Sequence, residues 1–176
     1  VEARKAKARK PRKCSYCRTE GHTKRTCEDL QRDRKIQAAR AKEWRGKFLS
    51  RCQDTGFGPG TLVKYVDPAQ IKSEWISTRI ERSIEKHGQY ALVVDCRWET
   101  LDHRNAVRSQ NTIIVRFPSG FQTFAQLPTE FGGLMDEYAS PHFEIAGKIN
   151  SSKLAETLPP EWHSGTDTAD WHLNLY

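Results

Sequence analysis

The stretch CSYCRTEGHTKRTC, residues 14–27, places Cys14, Cys17, His22 and Cys27 at the spacing C-x2-C-x4-H-x4-C. A segment of 14 residues cannot bury a hydrophobic core, so it holds a shape only if something other than burial supplies the folding energy. Zinc supplies it at this spacing. Three thiolates and one imidazole complete a tetrahedral shell around a single Zn2+ with no open position. The ion expected here is therefore structural, and a zinc-bound catalytic water is excluded.

The neighbouring residues fit that assignment. Gly21 stands directly before His22, where a residue without Cβ lets the chain fold back toward the metal. Arg18, Lys24 and Arg25 make the loop cationic, and Tyr16 adds an aromatic face between the first two cysteines. The stretch resembles the CCHC zinc knuckles of retroviral nucleocapsid proteins and of other nucleic-acid-binding proteins. The likeness implies zinc chelation by the four ligands, with flanking aromatic and basic residues gripping unpaired bases and phosphates. Ser15 stands where nucleocapsid knuckles usually carry an aromatic residue, and Arg18 where they usually carry glycine.

Charge is distributed unevenly. The whole chain carries +7, but residues 1–51 hold 18 Lys and Arg against 6 Asp and Glu, a balance of +12, and the remaining 11 against 16 give −5. The arm of residues 1–13, with Arg4, Lys5, Lys7, Arg9, Lys10, Arg12 and Lys13, shows no apolar periodicity. It reads as a segment ordered by phosphates, with nuclear localisation as a simpler role.

Residues 28–52 contain strong helix formers and no proline, with Glu28 and Asp29 where the helix dipole favours acids. A basic linker helix is expected. Ala41, Trp44, Phe48 and Cys52 share its apolar face, while Arg32, Arg34, Lys35, Arg40, Lys42 and Arg45 supply cations for a nucleic-acid backbone. Five cysteines, an odd number, and no preceding secretory apolar stretch point to a reducing, intracellular setting, cytoplasmic or nuclear. Cys52 and Cys96 lack partners at ligand spacing and read as buried thiols. Val1 at the start reads as a processed or truncated product.

Near residues 53–58 the composition turns to glycine, proline, β-branched and aromatic residues, and a globular unit over 56–149 is expected. Leu62–Val66, Ala91–Trp98, Thr112–Phe117 and Phe121–Leu127 read as strands, the last two joined through Pro118-Ser119-Gly120. Asp67-Pro68 and Gly88 bound a helix with Ile71, Trp75, Ile80 and Ile84 on its apolar side, although Ile76 to Ile84 also alternates like a strand. The succession GTLVKY, ALVVDCRW and TIIVRFPSGFQTFAQLP, within residues 57–128, is similar in pattern to SH3-like barrels. That likeness implies an interaction module, because closure would remove exposed sheet edges. Fold class is thus α+β: arm, knuckle, helix, small barrel and an irregular tail.

The tail, residues 150–176, holds Pro159-Pro160 and four acids against one lysine. Trp162 and Trp171 are expected to anchor a protein partner, or else to dock back on the barrel. No nucleophile motif, phosphate loop or second metal cluster is present, so a non-enzymatic role is expected. The sequence reads as a zinc-knuckle protein that binds RNA or single-stranded DNA. Arg4, Lys5, Lys7, Arg9, Lys10, Arg12, Lys13, Tyr16, Arg18, Lys24, Arg25, Arg32, Arg34 and Lys35 would form its nucleic-acid surface. It would serve in a ribonucleoprotein such as the ribosome, with a protein neighbour on the barrel or tail, no membrane and no small-molecule substrate. A transcription accessory factor or viral regulator that binds a polymerase is the alternative.

Overall fold

The computed structural model describes residues 12–104, 112–135, 139 and 141–168. Its longest element is α1, Glu28–Thr55, which begins with its acids in the first turn. It ends where Gly56 enters the left-handed region at φ 67° and returns its N–H to the Cys52 carbonyl. The buried residues Leu30, Gln37, Ala41, Trp44, Arg45, Phe48 and Cys52 follow one helical stripe.

A five-stranded antiparallel sheet follows, built from β1 (Leu62–Tyr65), β2 (Tyr90–Cys96), β3 (Ile113–Arg116), β4 (Gln122–Ala125) and β5 (Phe143–Gly147). Its spatial order is β4-β3-β2-β1-β5. Between β1 and β2 lies α2, Glu74–His87, closed by Gly88. Registers such as Val93↔Val115 and Tyr65↔Phe143 put Val63, Tyr65, Ala91, Val93, Ile113, Val115, Ala125 and Phe143 on one face, all buried. This face packs into a single core with Trp44, Phe48 and Cys52 of α1 and Ile80 of α2. Rings of Phe48 and Phe57 meet Phe131 at 5.4 and 4.9 Å, and burial of each such side chain contributes about 1.5–3 kcal/mol. The composition change at residues 53–58 is a corner within this core, where Phe57 is fully buried.

Several expectations are corrected here. Among the described residues the sheet is open, with β4 and β5 as its edges, and the expected SH3-like closure is absent. Strands of four to seven residues need no barrel when α1 and α2 cover one face, because the core forms between helices and sheet. The proline-initiated segment makes only a 3-10 turn at Pro68–Gln70 before α2 restarts at Glu74. Within α2, Trp75 stands about 140° round the axis from the buried Ile80, so it points outward, 70% exposed, instead of onto the apolar side.

The C-terminal segment is packed rather than trailing. A short helix α3, Pro160–Ser164, ends at Gly165 with φ 73°. A Cβ at Gly165 would lie 2.4 Å from the Ala38 carbonyl oxygen, so only glycine lets this turn approach α1. Trp162, expected either to dock back on the domain or to anchor a partner, docks back: it is 2% exposed, and its indole N–H donates to the Trp98 carbonyl at 2.8 Å. Trp171 lies outside the described residues. Arg45, expected on the cationic surface of α1, is also buried. Its guanidinium lies over the Trp162 ring at 4.5 Å and donates to the carbonyls of Leu101 and Trp162, both at 2.7 Å. The same group binds the Asp167 carboxylate in bidentate fashion at 2.7 and 3.0 Å.

Candidate metal centre

The knuckle is shaped by backbone hydrogen bonds before any metal is considered. Arg18 N–H donates to the Cys14 carbonyl at 3.0 Å and Cys14 N–H to the Thr19 carbonyl at 2.8 Å, closing a turn that points Cys14 and Cys17 the same way. Lys13 and Glu20 form an antiparallel bridge beneath it. Gly21, at φ 96°, turns the chain so that His22 comes back toward the cysteines. A 3-10 turn over Lys24–Thr26 then delivers Cys27, which is also the N-cap of α1.

The ligand atoms of Cys14, Cys17, His22 and Cys27 all lie within 4.8 Å of one another, and Cys17 Sγ is 3.1 Å from His22 Nε2. Edges of a tetrahedral zinc shell with such ligands measure roughly 3.5–3.8 Å, so the cluster fits one ion. The donor set, three soft sulfurs and one imidazole, suits zinc over the oxygen-seeking divalent cations. Hydrogen bonds from the Thr19 side chain and backbone N–H lower the Cys17 thiol to about 6, and burial raises that of Cys27. All four positions of a tetrahedron are filled by protein, which leaves no place for a reacting water.

Beneath the ligands, Cys14, Cys27 and Leu30 form a small buried cluster with Tyr16 and Cys17 against it. Tyr16, expected to stack on a base, is half-buried here. Its hydroxyl donates to Asp33 at 2.6 Å, and this bond raises the phenol to about 12. The ring is thus a strut between knuckle and helix. Leu30 and Asp33 were missed from sequence, because no local spacing ties Tyr16 to a helix 17 residues on.

Arg12, Lys13, Arg18, Arg25, Arg32 and Lys35 are exposed around this end of the molecule, and Lys24 and Arg34 are half-buried. Arg32 pairs with Asp29 at 3.0 Å and with Asp33 at 3.4 Å. Such exposed pairs contribute about 0–1 kcal/mol and are readily exchanged for a phosphate. Arg4, Lys5, Lys7, Arg9 and Lys10 lie outside the described residues. Cys52 and Cys96, expected to be buried thiols, are 0% and 1% exposed, and burial raises the pKa of both. Asp102 and His103 are used structurally: Asp102 accepts the Arg104 N–H at 2.7 Å, and His103 Nε2 meets Gln37 Oε1 at 3.1 Å. Among the described residues, no helix is long and apolar enough to cross a membrane.

Arg18 carries a left-handed backbone, φ 65°, where a side chain costs about 1–2 kcal/mol. Arg18→Gly is expected to tighten zinc binding by roughly fivefold to tenfold, measured by competition with a chelator. Equal or weaker binding would show that the loop is unstrained. The chain matches no family model, no curated protein and no solved structure.

Proposed function

We propose that this chain is a zinc-knuckle protein that binds RNA or another single-stranded nucleic acid as a non-catalytic component of a ribonucleoprotein such as the ribosome. The observation that carries the reading is the convergence of Cys14, Cys17, His22 and Cys27 into one closed ligand set surrounded by exposed Arg12, Lys13, Arg18, Arg25 and Lys35. A closed shell does no chemistry; it fixes the directions of the cations around it. The outer face of the sheet supports a protein neighbour. Leu62 and Leu92 are paired across β1 and β2, and together with Tyr90 and Phe124 they are exposed on the side away from α1 and α2.

Salt titration of RNA binding tests the assignment. Removing residues 1–13 and replacing Arg18, Arg25 and Lys35 with glutamine should weaken binding. It should also flatten the slope of log affinity against log salt by about 0.7 for each single-strand phosphate that the protein no longer neutralises. An unchanged slope would remove the basic end from the interface. Crosslinking in cells should recover RNA from one particle; recovery of a polymerase with its template would replace this reading by the transcriptional one.

A further inference from the structure

The exposed tryptophan on α2 heads a second feature that the knuckle does not explain. Trp75, Arg79, Arg82 and Lys86 follow the spacing i, i+4, i+7, i+11, which aligns them along one stripe of the helix, and all four are exposed. Like charges at such spacings destabilise a helix. Three glutamates are available on α2, yet Glu74, Glu81 and Glu85 sit roughly 110° round the axis from the stripe. None of the three cations forms an ion pair with a carboxylate among the described residues.

The stripe borders a cleft of two hollows that share Arg79 and Arg82. One, of about 300 Å3, lies between α2 and the helix-facing side of the sheet, with Tyr65, Lys86, Phe121 and His142 and no acid among its described lining residues. The other, more open and of about 490 Å3, is lined also by Glu74, Trp75 and Thr78. Phe121 is 44% exposed at the rim of the first and stacks on His87 at 4.3 Å with the rings 14° apart. At the other end the Arg79 guanidinium lies 5.6 Å from the Trp75 ring centre. Burial and the charge of Arg79 lower the His142 pKa, in keeping with an electropositive cleft.

We infer that the α2 cleft is a second binding site for single-stranded nucleic acid, with Arg79, Arg82 and Lys86 on successive phosphates and Trp75 and Phe121 as stacking faces. Aromatic faces at both ends of a cationic line favour a strand with bases over a phosphorylated peptide, which offers anions without flat rings. The cleft shares its ligand class with the function proposed for the knuckle, but it lies in the half of the chain whose net charge is −5.

Anisotropy of a labelled oligouridylate with the full chain tests it. Arg79→Gln/Arg82→Gln/Lys86→Gln should flatten the salt slope by about 2 and weaken binding at least about tenfold at low salt. Trp75→Ala, at an exposed position outside the core, should cost about tenfold, with the melting temperature unchanged. Wild-type affinity and slope in both variants would overturn the cleft, and if Cys17→Ser binds weakly in the same assay the knuckle reading stands without it. Weak binding by the α2 variants with normal binding by Cys17→Ser would leave the cleft and remove the knuckle. A phosphoserine peptide that displaced the oligouridylate at equal concentration would overturn the assignment to nucleic acid.

Discussion

Cys27→Ser is expected to abolish stoichiometric zinc binding and unfold residues 14–27 while the core of the protein melts cooperatively as before. The magnitude follows from the chemistry of the site: structural zinc in peptides of this kind contributes apparent binding of about 10–16 kcal/mol at neutral pH. Cys27 stands at the N-cap of α1 without a side-chain capping bond, so the metal is what ties the first turns of the helix to the knuckle, and they fray when it is lost. Fraying should stop near Gln37, where the hydrogen bond to His103 and the burial of Ala41 tie α1 to the core. Metal analysis and far-ultraviolet circular dichroism measure both effects. A Cys27→Ser protein that retained one zinc per chain, or lost its whole cooperative melt, would contradict this account.

Arg45→Ala should be the most damaging single change in the globular part, at about 3–5 kcal/mol. It removes the buried member of the pair with Asp167, empties the space that its side chain fills against Trp162, and leaves its acceptors unsatisfied. The Leu101 and Trp162 carbonyls are left without their donor, and Asp167 without both of its bonds. For a chain of this size the melting temperature should fall by roughly 10 °C. Arg45→Lys should recover only part of this, since an ammonium cannot form the planar bidentate fork while also reaching two carbonyls. Asp167→Asn should cost less, because the amide oxygen still accepts from the guanidinium and Arg45 keeps its bonds to the Leu101 and Trp162 carbonyls. Thermal denaturation of the three variants gives the ranking. A loss under about 1 kcal/mol for Arg45→Ala would mean that the C-terminal segment is dispensable to the fold.

Ligand spacing and strand alternation were legible because both are local. The cluster of Cys14, Cys17, His22 and Cys27 forms from neighbours in the chain. The sequence-expected strands became β1 to β4 through alternating apolar residues. β5 escaped because Phe143 to Gly147 offers only two large apolar residues and gains its identity from pairing with β1 some 80 residues earlier, as in Tyr65↔Phe143. Closure was misjudged for a related reason. Whether a sheet curls shut depends on what covers its face, and the cover is a helix that reads as a linker by charge. Arg45 shows the same limit. One arginine in a cationic run carries no local mark that distinguishes it from its solvated neighbours, and only the return of Trp162 and Asp167 decides its burial. The stripe on α2 was visible as a spacing but was masked by an expected phase that placed Trp75 inside.

The unbroken course of α1 fixes an angle as well as a distance. Because the helix runs from the zinc ligand at its N-cap to Cys52 in the core, rotation at one end is rotation at the other. Each residue advances the helix by about 1.5 Å and roughly 100°. One residue inserted between Leu30 and Gln37 would therefore barely move the knuckle along the axis, yet would swing its cations about a quarter turn away from their present bearing. Seven inserted residues would return the bearing to within about 20° but displace it by about 10 Å. The chain thus behaves as a keyed shaft, in which helical phase sets the bearing of the knuckle's cations relative to the core.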